Sequence, residues 1–210
     1  MDFDKMIDRR STESFRWGLY PEDVLPLWVA DMDFECPPAV MEAVHQRVDH
    51  GIFGYGFPPA GYKEVFIRRM QDLYNWQTTP EQISFVPGIV TGFNLAVRSV
   101  CSPGDAVMFL TPAYPPFFSG PKAGGFRVVE CQMVENAEGQ YEIDFDLFEN
   151  LIVKEGVKAF IHCDPQNPTG RVFTREELEK MAAILLRHKV TVCSDEIHCD
   201  LIYSGHTHIP

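Results

Sequence analysis

Short apolar runs rich in β-branched residues alternate with longer amphipathic stretches from about residue 83 onward. The runs have the length of strands, and the stretches repeat their apolar positions with a helical period. The predicted strands are 83–86, 106–110, 127–134, 158–163 and 190–193, and the predicted helices are 90–101, a segment after Pro115, 145–154 and 176–189. This alternation predicts an α/β fold, a mostly parallel sheet with flanking helices on both faces.

The chain before residue 83 has a different pattern. Two helices are predicted there, Pro37–His50, which prolines open and Gly51 closes, and Tyr62–Trp76. Residues 1–36 show little periodicity but hold several aromatic side chains, which suits an arm that packs on a larger body or on a partner subunit. We expect an amino-terminal arm and small-domain segment in residues 1–50 and a large domain in residues 51–210.

Composition narrows the possible partners and the compartment. Eighteen basic and thirty acidic residues give a formal net charge of −12, which disfavours nucleic acid. No apolar run approaches the roughly 18 residues that span a bilayer, and the first residues lack a signal-peptide core, so we expect a cytoplasmic protein without a membrane partner. The six cysteines form no CxxC pair, which is typical of reduced thiols.

A rigid turn follows the predicted strand 158–163. It reads Asp164-Pro-Gln-Asn-Pro-Thr-Gly170, and its prolines and glycine hold the Asn167 carboxamide in a fixed direction. In parallel α/β sheets ligands bind beyond the carboxyl ends of the strands, so Asn167 could bond a ring oxygen or a substrate carboxylate. An ordinary tight turn before a helix explains the same residues equally well.

Two carboxylates and a histidine follow the predicted strand 190–193. If Asp195 is buried at the strand end, it needs a cation or a strong donor as its partner, and a protonated ring nitrogen is such a partner. His198 could reach a phenolate-type oxygen or a neighbouring carboxylate. A structural histidine with satisfied hydrogen bonds is the simpler interpretation of His198 taken alone.

Two further loops complete the set. Residues 86–92 form a glycine turn that opens an apolar helix, so the free N–H groups of Gly88, Ile89 and Val90 make a candidate anion site. The proline-stiffened loop 110–117 displays Tyr114, which could stack on a flat ring or could be a core aromatic. Together the four loops would contact the ring nitrogen, the ring oxygen, the ring face and the phosphate of one phosphorylated aromatic cofactor.

Six motifs, in this order, carry a resemblance to a known family: Trp28-Val-Ala-Asp-Met-Asp-Phe34, Phe53-Gly-Tyr-Gly56, Pro87-Gly-Ile-Val90, Thr111-Pro-Ala-Tyr-Pro-Pro-Phe117, Asn167-Pro-Thr-Gly170 and Ser194-Asp-Glu-Ile-His-Cys-Asp200. At these residues the chain resembles fold-type-I pyridoxal-phosphate enzymes. The branch that it resembles more closely is that of the cystathionine β-lyases and C–S lyases related to class I/II aminotransferases. The resemblance implies the large domain of the PLP-dependent transferase-like fold, truncated at its carboxyl-terminal side.

The resemblance also implies roles for residues. Asp195 would keep the pyridine nitrogen protonated, Asn167 and His198 would bond or flank the ring oxygen, and Tyr114 would stack on the ring. The Ile89 and Val90 amides, next to Gly88 of the same turn, would bind the phosphate. Tyr55 would reach the phosphate of a partner subunit in a homodimer. Ala30 and Asn167 would contact the substrate.

The family's Schiff-base lysine follows the Asp-Glu-Ile-His segment within a Ser-x-x-Lys motif, so we expect it beyond Pro210 and expect no catalytic residue in this chain. Ser119-Gly-Pro-Lys122 fits the motif literally. Because it precedes Asp195 and directly follows the stacking tyrosine, we interpret Lys122 as a coincidental match.

Three functions remain open from the sequence. The first is β-elimination of a thiol from an amino-acid thioether, giving pyruvate and ammonia, and aminotransfer is the alternative within the same site. A third, of another class, is a non-catalytic fragment or interaction module. A metal site is not expected, since the spacing of five candidate ligands matches no familiar zinc pattern; they are Cys193, His198, Cys199, His206 and His208.

Overall fold

The computed structural model describes residues 2–210, which form two compact units that divide after Pro59. The first unit contains α1 (Phe15–Gly18) and α2 (Pro38–His50). Helix α2 ends where the sequence predicts, because Gly51 adopts the left-handed conformation (φ 73°) that closes a helix.

The second unit holds most of the regular structure. Its elements are α3 (Tyr62–Tyr74), a 3₁₀ turn (Pro80–Gln82), α4 (Ile89–Val100), β1 (Ala106–Thr111), α5 (Pro116–Ala123), β2 (Arg127–Gln132), β3 (Val134–Glu135), β4 (Tyr141–Glu142), α6 (Phe145–Glu155), β5 (Val157–Cys163), α7 (Arg175–Arg187) and β6 (Thr191–Asp195). The capping box that opens α7 is present: Thr174 and Glu177 each accept a hydrogen bond from the other's backbone N–H. None of the helices in residues 2–210 is long and apolar enough to cross a membrane.

Four parallel strands form the main sheet in the order β2-β1-β5-β6. Strand β1 is buried along its whole length, and its side chains alternate between two cores. Met108 points into the core that contains residues of α6 and α7, whereas Phe109 points into the core that contains residues of α4 and α5. The expected α/β architecture, with helices on both faces, is therefore confirmed.

The structure corrects two predicted strands. Residues 83–86 are not part of any strand in the described chain, although Ile83 has an extended backbone (φ −106°, ψ 119°). A strand is defined by its pairing with a neighbour, and residues 83–86 pair with none of the strands of the four-stranded sheet. The run 127–134 is also shorter than predicted: β2 ends at Gln132, and the next residues join the antiparallel pair β3-β4.

Short connections fix which end of each helix faces the site. Only residues 101–105 join the end of α4 to the start of β1, so α4 ends near the amino edge of the sheet and begins toward its carboxyl edge. The carboxyl ends of β1, β5 and β6 lie at that same edge because the strands are parallel. The start of α4 and the loops after these three strands are thereby gathered on one side.

Candidate functional site

Asp195 is the last residue of β6 and lies opposite Cys163 of β5. Its side chain accepts one hydrogen bond, from the Ile197 N–H to Oδ1 at 3.2 Å, and it forms no ion pair with any residue between 2 and 210. Burial raises the pKa of the Asp195 carboxyl, while the Ile197 N–H and the charge of His198 act in the opposite direction. The strand end therefore presents a buried carboxylate, 5% exposed, that lacks a cationic partner.

The loop that carries Asn167 is tied to the loop after β1. Gln166 donates a hydrogen bond from Nε2 to the Pro112 carbonyl at 2.6 Å, and its Oε1 accepts one from the Thr169 N–H at 3.0 Å. Asn167 is partly buried, and its carboxamide makes no hydrogen bond to other residues in the described part of the chain. A fixed loop thus holds an amide whose bonding capacity is free.

Gly88 precedes α4 with φ 95° and ψ 152°, a backbone conformation that is almost exclusive to glycine. This geometry turns the chain so that the N–H groups of Ile89 and Val90 stand in the first helical turn, where no intrahelical acceptor exists for them. The expectation of a free N–H at Gly88 is wrong, because that N–H donates to the Val86 carbonyl at 2.8 Å. Both residues are open to solvent, at 44% and 41% exposure. A Cβ built on Gly88 meets nothing within 4 Å, so the backbone there is open on that side.

Tyr114 and His198 lie in the loops after β1 and β6, and both are partly buried. The Tyr114 ring packs edge-on against Phe117, with 5.9 Å between the ring centroids. His198 is close enough to Asp195 for its charge to lower the pKa of that carboxyl.

The structure brings most of the predicted site residues to the carboxyl edge of the sheet: Asp195, Asn167, His198, Tyr114, Gly88, Ile89 and Val90. A buried carboxylate without a cation, a free amide and unpaired helix-start N–H groups fit a cationic aromatic ring that bears a phosphate. Tyr55 and Ala30 belong to the first unit, and both are exposed within it.

Lys122 lies in the last turn of α5 and is exposed. Helix α5 begins just after the Tyr114 loop, and only residues 124–126 join its end to β2. Lys122 is consequently directed toward the amino edge of the sheet, away from Asp195. This placement agrees with a coincidental match to the Ser-x-x-Lys motif.

A polar cluster with two buried members and one partly buried member was not predicted as part of the site. It consists of Asp164, Glu196 and His208, beside the ring of His162. One sequence signal points to it, the adjacent acids Asp195 and Glu196. His208 was considered in the sequence only as a potential metal ligand. Among residues 2–210, no group of three or more histidine, cysteine, aspartate or glutamate side chains is arranged to hold a metal ion.

His162 gives the fold a pH dependence that can be measured. Its ring stacks on Phe160, and neither ring nitrogen has a hydrogen-bond partner among residues 2–210. Burial lowers its pKa from 6.5 to about 4. Between these pH values His162 binds a proton in the unfolded chain but not in the folded one. The stability that the folded state has with neutral His162 is therefore fully present above pH 6.5 and is lost as the pH falls through about 4. In His162→Leu we expect the thermal midpoint to fall less steeply between pH 6.5 and pH 4 than in the wild type. The reason is that unfolding of the variant takes up fewer protons, by up to about one.

The control for this measurement is His206→Leu, because His206 is exposed. Thermal midpoints of the full-length protein and both variants between pH 7 and pH 4 test the expectation. A slope in His162→Leu equal to that of the wild type would contradict it.

Comparison with known proteins identifies the group to which this arrangement belongs. The family described as Aminotransferase class I and II matches residues 22–210. Cystathionine beta-lyase PatB of Bacillus subtilis is 42% identical over 215 aligned residues, which cover 100% of this chain and 55% of that protein.

Solved structures show the same relationship. The PLP-bound C–S lyase from Staphylococcus hominis superposes with a TM-score of 0.92 at 36% identity, and so does cystalysin from Treponema denticola, a structure that contains pyridoxal 5′-phosphate. In each case all of this chain matches 55% of the other. The chain thus spans about half the length of the relatives that it matches, and it belongs to the aminotransferase class I and II family.

Proposed function

We propose that the full-length protein is a pyridoxal-phosphate-dependent C–S β-lyase, of which this chain supplies much of the cofactor site. The observation that carries the proposal is the buried Asp195 carboxylate without a cationic partner, at the same sheet edge as a free amide and unpaired helix-start N–H groups. The lyase reaction is favoured over aminotransfer by the names of the relatives, cystathionine beta-lyase and C–S lyase.

Each residue has a distinct task in this proposal. The Asp195 carboxylate holds the proton on the pyridine nitrogen, and Asn167 donates to the ring oxygen while His198 flanks it. Tyr114 offers its ring face to the cofactor. The N–H groups of Ile89 and Val90, with the Gly88 turn that orients them, bind the phosphate at the positive end of the α4 dipole.

The cofactor, when bound, supplies an electron sink that makes the proton on the substrate Cα removable. Burial is what makes Asp195 effective, because a carboxylate at low dielectric binds a nearby cationic N–H far more strongly than one in water. Asn167 serves the substrate as well, since its N–H groups can donate to the substrate carboxylate. These residues hold and orient, and the proton at Cα is removed by a lysine that we place beyond Pro210.

Several parts of the proposal concern the whole protein. We propose a cytoplasmic homodimer in which Tyr55 reaches the phosphate in the partner subunit and the backbone at Ala30 lies near the substrate carboxylate. Residues 1–50 would form the arm and small-domain segment, and residues 51–210 the cofactor-binding domain. The substrate would be an amino-acid thioether.

Assays of the full-length protein test this function directly. With cystathionine and pyridoxal phosphate we expect a free thiol, pyruvate and ammonia in equal amounts. Transfer of an amino group to a keto acid, without thiol release, would instead identify an aminotransferase. A third outcome would contradict both the assignment and the interpretation of Lys122. It is the absence of both reactions together with stoichiometric attachment of pyridoxal phosphate to Lys122, fixed by borohydride reduction.

A further inference from the structure

One histidine ring lies between two carboxylates behind the candidate site. His208 is buried, and its Nε2 is 3.0 Å from Oε2 of Glu196 while its Nδ1 is 3.5 Å from Oδ2 of Asp164. The Tyr74 ring packs edge-on against the imidazole, with 5.8 Å between the centroids. We call Asp164, Glu196 and His208 the His208 cluster.

The two carboxylates come from adjacent strand ends. Asp164 directly follows β5 and begins the loop that carries Asn167, and its own N–H donates to the Asp195 carbonyl at 3.1 Å. Glu196 directly follows Asp195 at the end of β6. His208 therefore links the two strand ends that carry the groups assigned to the cofactor ring.

The other contacts of the cluster fix its geometry. Ser194 donates its hydroxyl to Oε1 of Glu196 at 2.8 Å, and the Phe173 N–H donates to Oδ1 of Asp164 at 3.3 Å. Oδ2 of Asp164 and Nδ1 of His208 are both buried and have no hydrogen-bond partner in the part of the chain described. These two atoms face each other at 3.5 Å, so the His208 ring lies directly across this gap from Oδ2 of Asp164.

The charges explain why a histidine stands at this position. An imidazole donates at both nitrogens only when it is protonated, and a carboxylate stands at each nitrogen of His208. Burial raises the pKa of Asp164 to about 6, while the Phe173 N–H and the charge of His208 act in the opposite direction. Without the ring, two like charges would remain beside each other with little solvent to screen them.

We propose that His208 is a positioning residue, whose ring holds the ends of β5 and β6 together and so fixes the spacing between Asn167 and Asp195. The inference rests on the proposed function, because the ring of pyridoxal phosphate is the ligand that senses this spacing. The His208 cluster would act through the backbone of its two strands rather than by touching that ligand.

Cofactor affinity, measured on the full-length protein freed of pyridoxal phosphate, tests the inference. In His208→Leu we expect the Kd for pyridoxal phosphate to rise roughly tenfold, the worth of a lost hydrogen bond to a charged group. The absorbance maximum of the bound cofactor should shift as well. In His208→Gln, whose amide still donates to Glu196, most of the affinity should return.

Two further variants separate positioning from general stability. Glu196→Leu, which removes the acceptor for His208, should weaken binding as His208→Leu does, and the double variant should lose little more, because both substitutions break the same link. His206→Leu, two residues away and exposed, is the matched control.

The outcomes for the two proposals are distinct. A lower thermal midpoint in His208→Leu with unchanged Kd and absorbance at 25 °C would show a merely structural histidine and overturn the inference. A wild-type protein that binds no pyridoxal phosphate would overturn the proposed function instead.

Discussion

Asn in place of Asp195 is expected to lower kcat/KM for β-elimination by the full-length protein roughly a hundredfold to a thousandfold, as loss of one preorganised electrostatic group does in other enzymes. Asn keeps the size of the side chain and its acceptor for the Ile197 N–H but has no negative charge. The ring nitrogen would then lose its proton at neutral pH, and the substrate Cα would be less acidic. Rates of thiol release under identical cofactor saturation measure the effect.

The same substitution should act differently on stability. Burial raises the pKa of the Asp195 carboxyl, so the ionised group costs stability above that pKa when no cation is bound. Cofactor-free Asp195→Asn should therefore unfold at the same temperature as the wild type or at a higher one. Asp200→Asn is the control, because Asp200 is exposed and forms an ion pair with Arg69. Undiminished thiol release in Asp195→Asn would refute the assigned role.

Gly88→Ala should weaken binding of pyridoxal phosphate by about tenfold to a hundredfold, which corresponds to the 1–3 kcal/mol that a non-glycine residue typically costs in this backbone region. The added methyl group meets no atom within 4 Å, so strain in the backbone, rather than a steric clash, is the cause. Relief of that strain would rotate the N–H groups of Ile89 and Val90 away from the phosphate. Fluorescence titration of the cofactor-free protein measures the Kd.

Gly104→Ala provides the matched control for this experiment. Gly104 also has a positive φ (92°) and open space where a Cβ would stand, but it precedes β1 at the amino edge of the sheet. Both variants should lose stability, whereas only Gly88→Ala should lose cofactor affinity. Equal affinities in the two variants would contradict a phosphate site at the start of α4.

Local sequence signals were sufficient for most of the elements and for most of the candidate site. Helix α7 begins at the predicted capping box, and α2 ends at the predicted glycine, because both signals act within a few residues of the chain. The alternation of strands and helices was enough to place Asn167, Tyr114 and Asp195 after strand ends. Parallel strands then bring such loops to one edge, whatever the order of the strands.

Strand order and pairing required the tertiary structure. Strand β1 lies between β2 and β5, and five elements (α5, β2, β3, β4 and α6) separate β1 from β5 along the chain, so no local pattern specifies that neighbour. Residues 83–86 have a strand-like sequence, yet they remain unpaired in the described chain. Pairing depends on which edges of the sheet are available, a property of the folded chain rather than of the segment.

The polar residues of the site show most clearly which features follow from the local sequence and which require the folded chain. The sequence alone determined that a phosphorylated ring could be held after the strands, because residue type and position in a motif suffice for that chemistry. The folded chain was needed to show that His208 is buried between Asp164 and Glu196 while His206, two residues earlier, is exposed. The physical reason is that the burial of His208 and its pairing with Asp164 involve residues 44 positions apart in the chain. Packing of the strands brings these two side chains within 4 Å of each other.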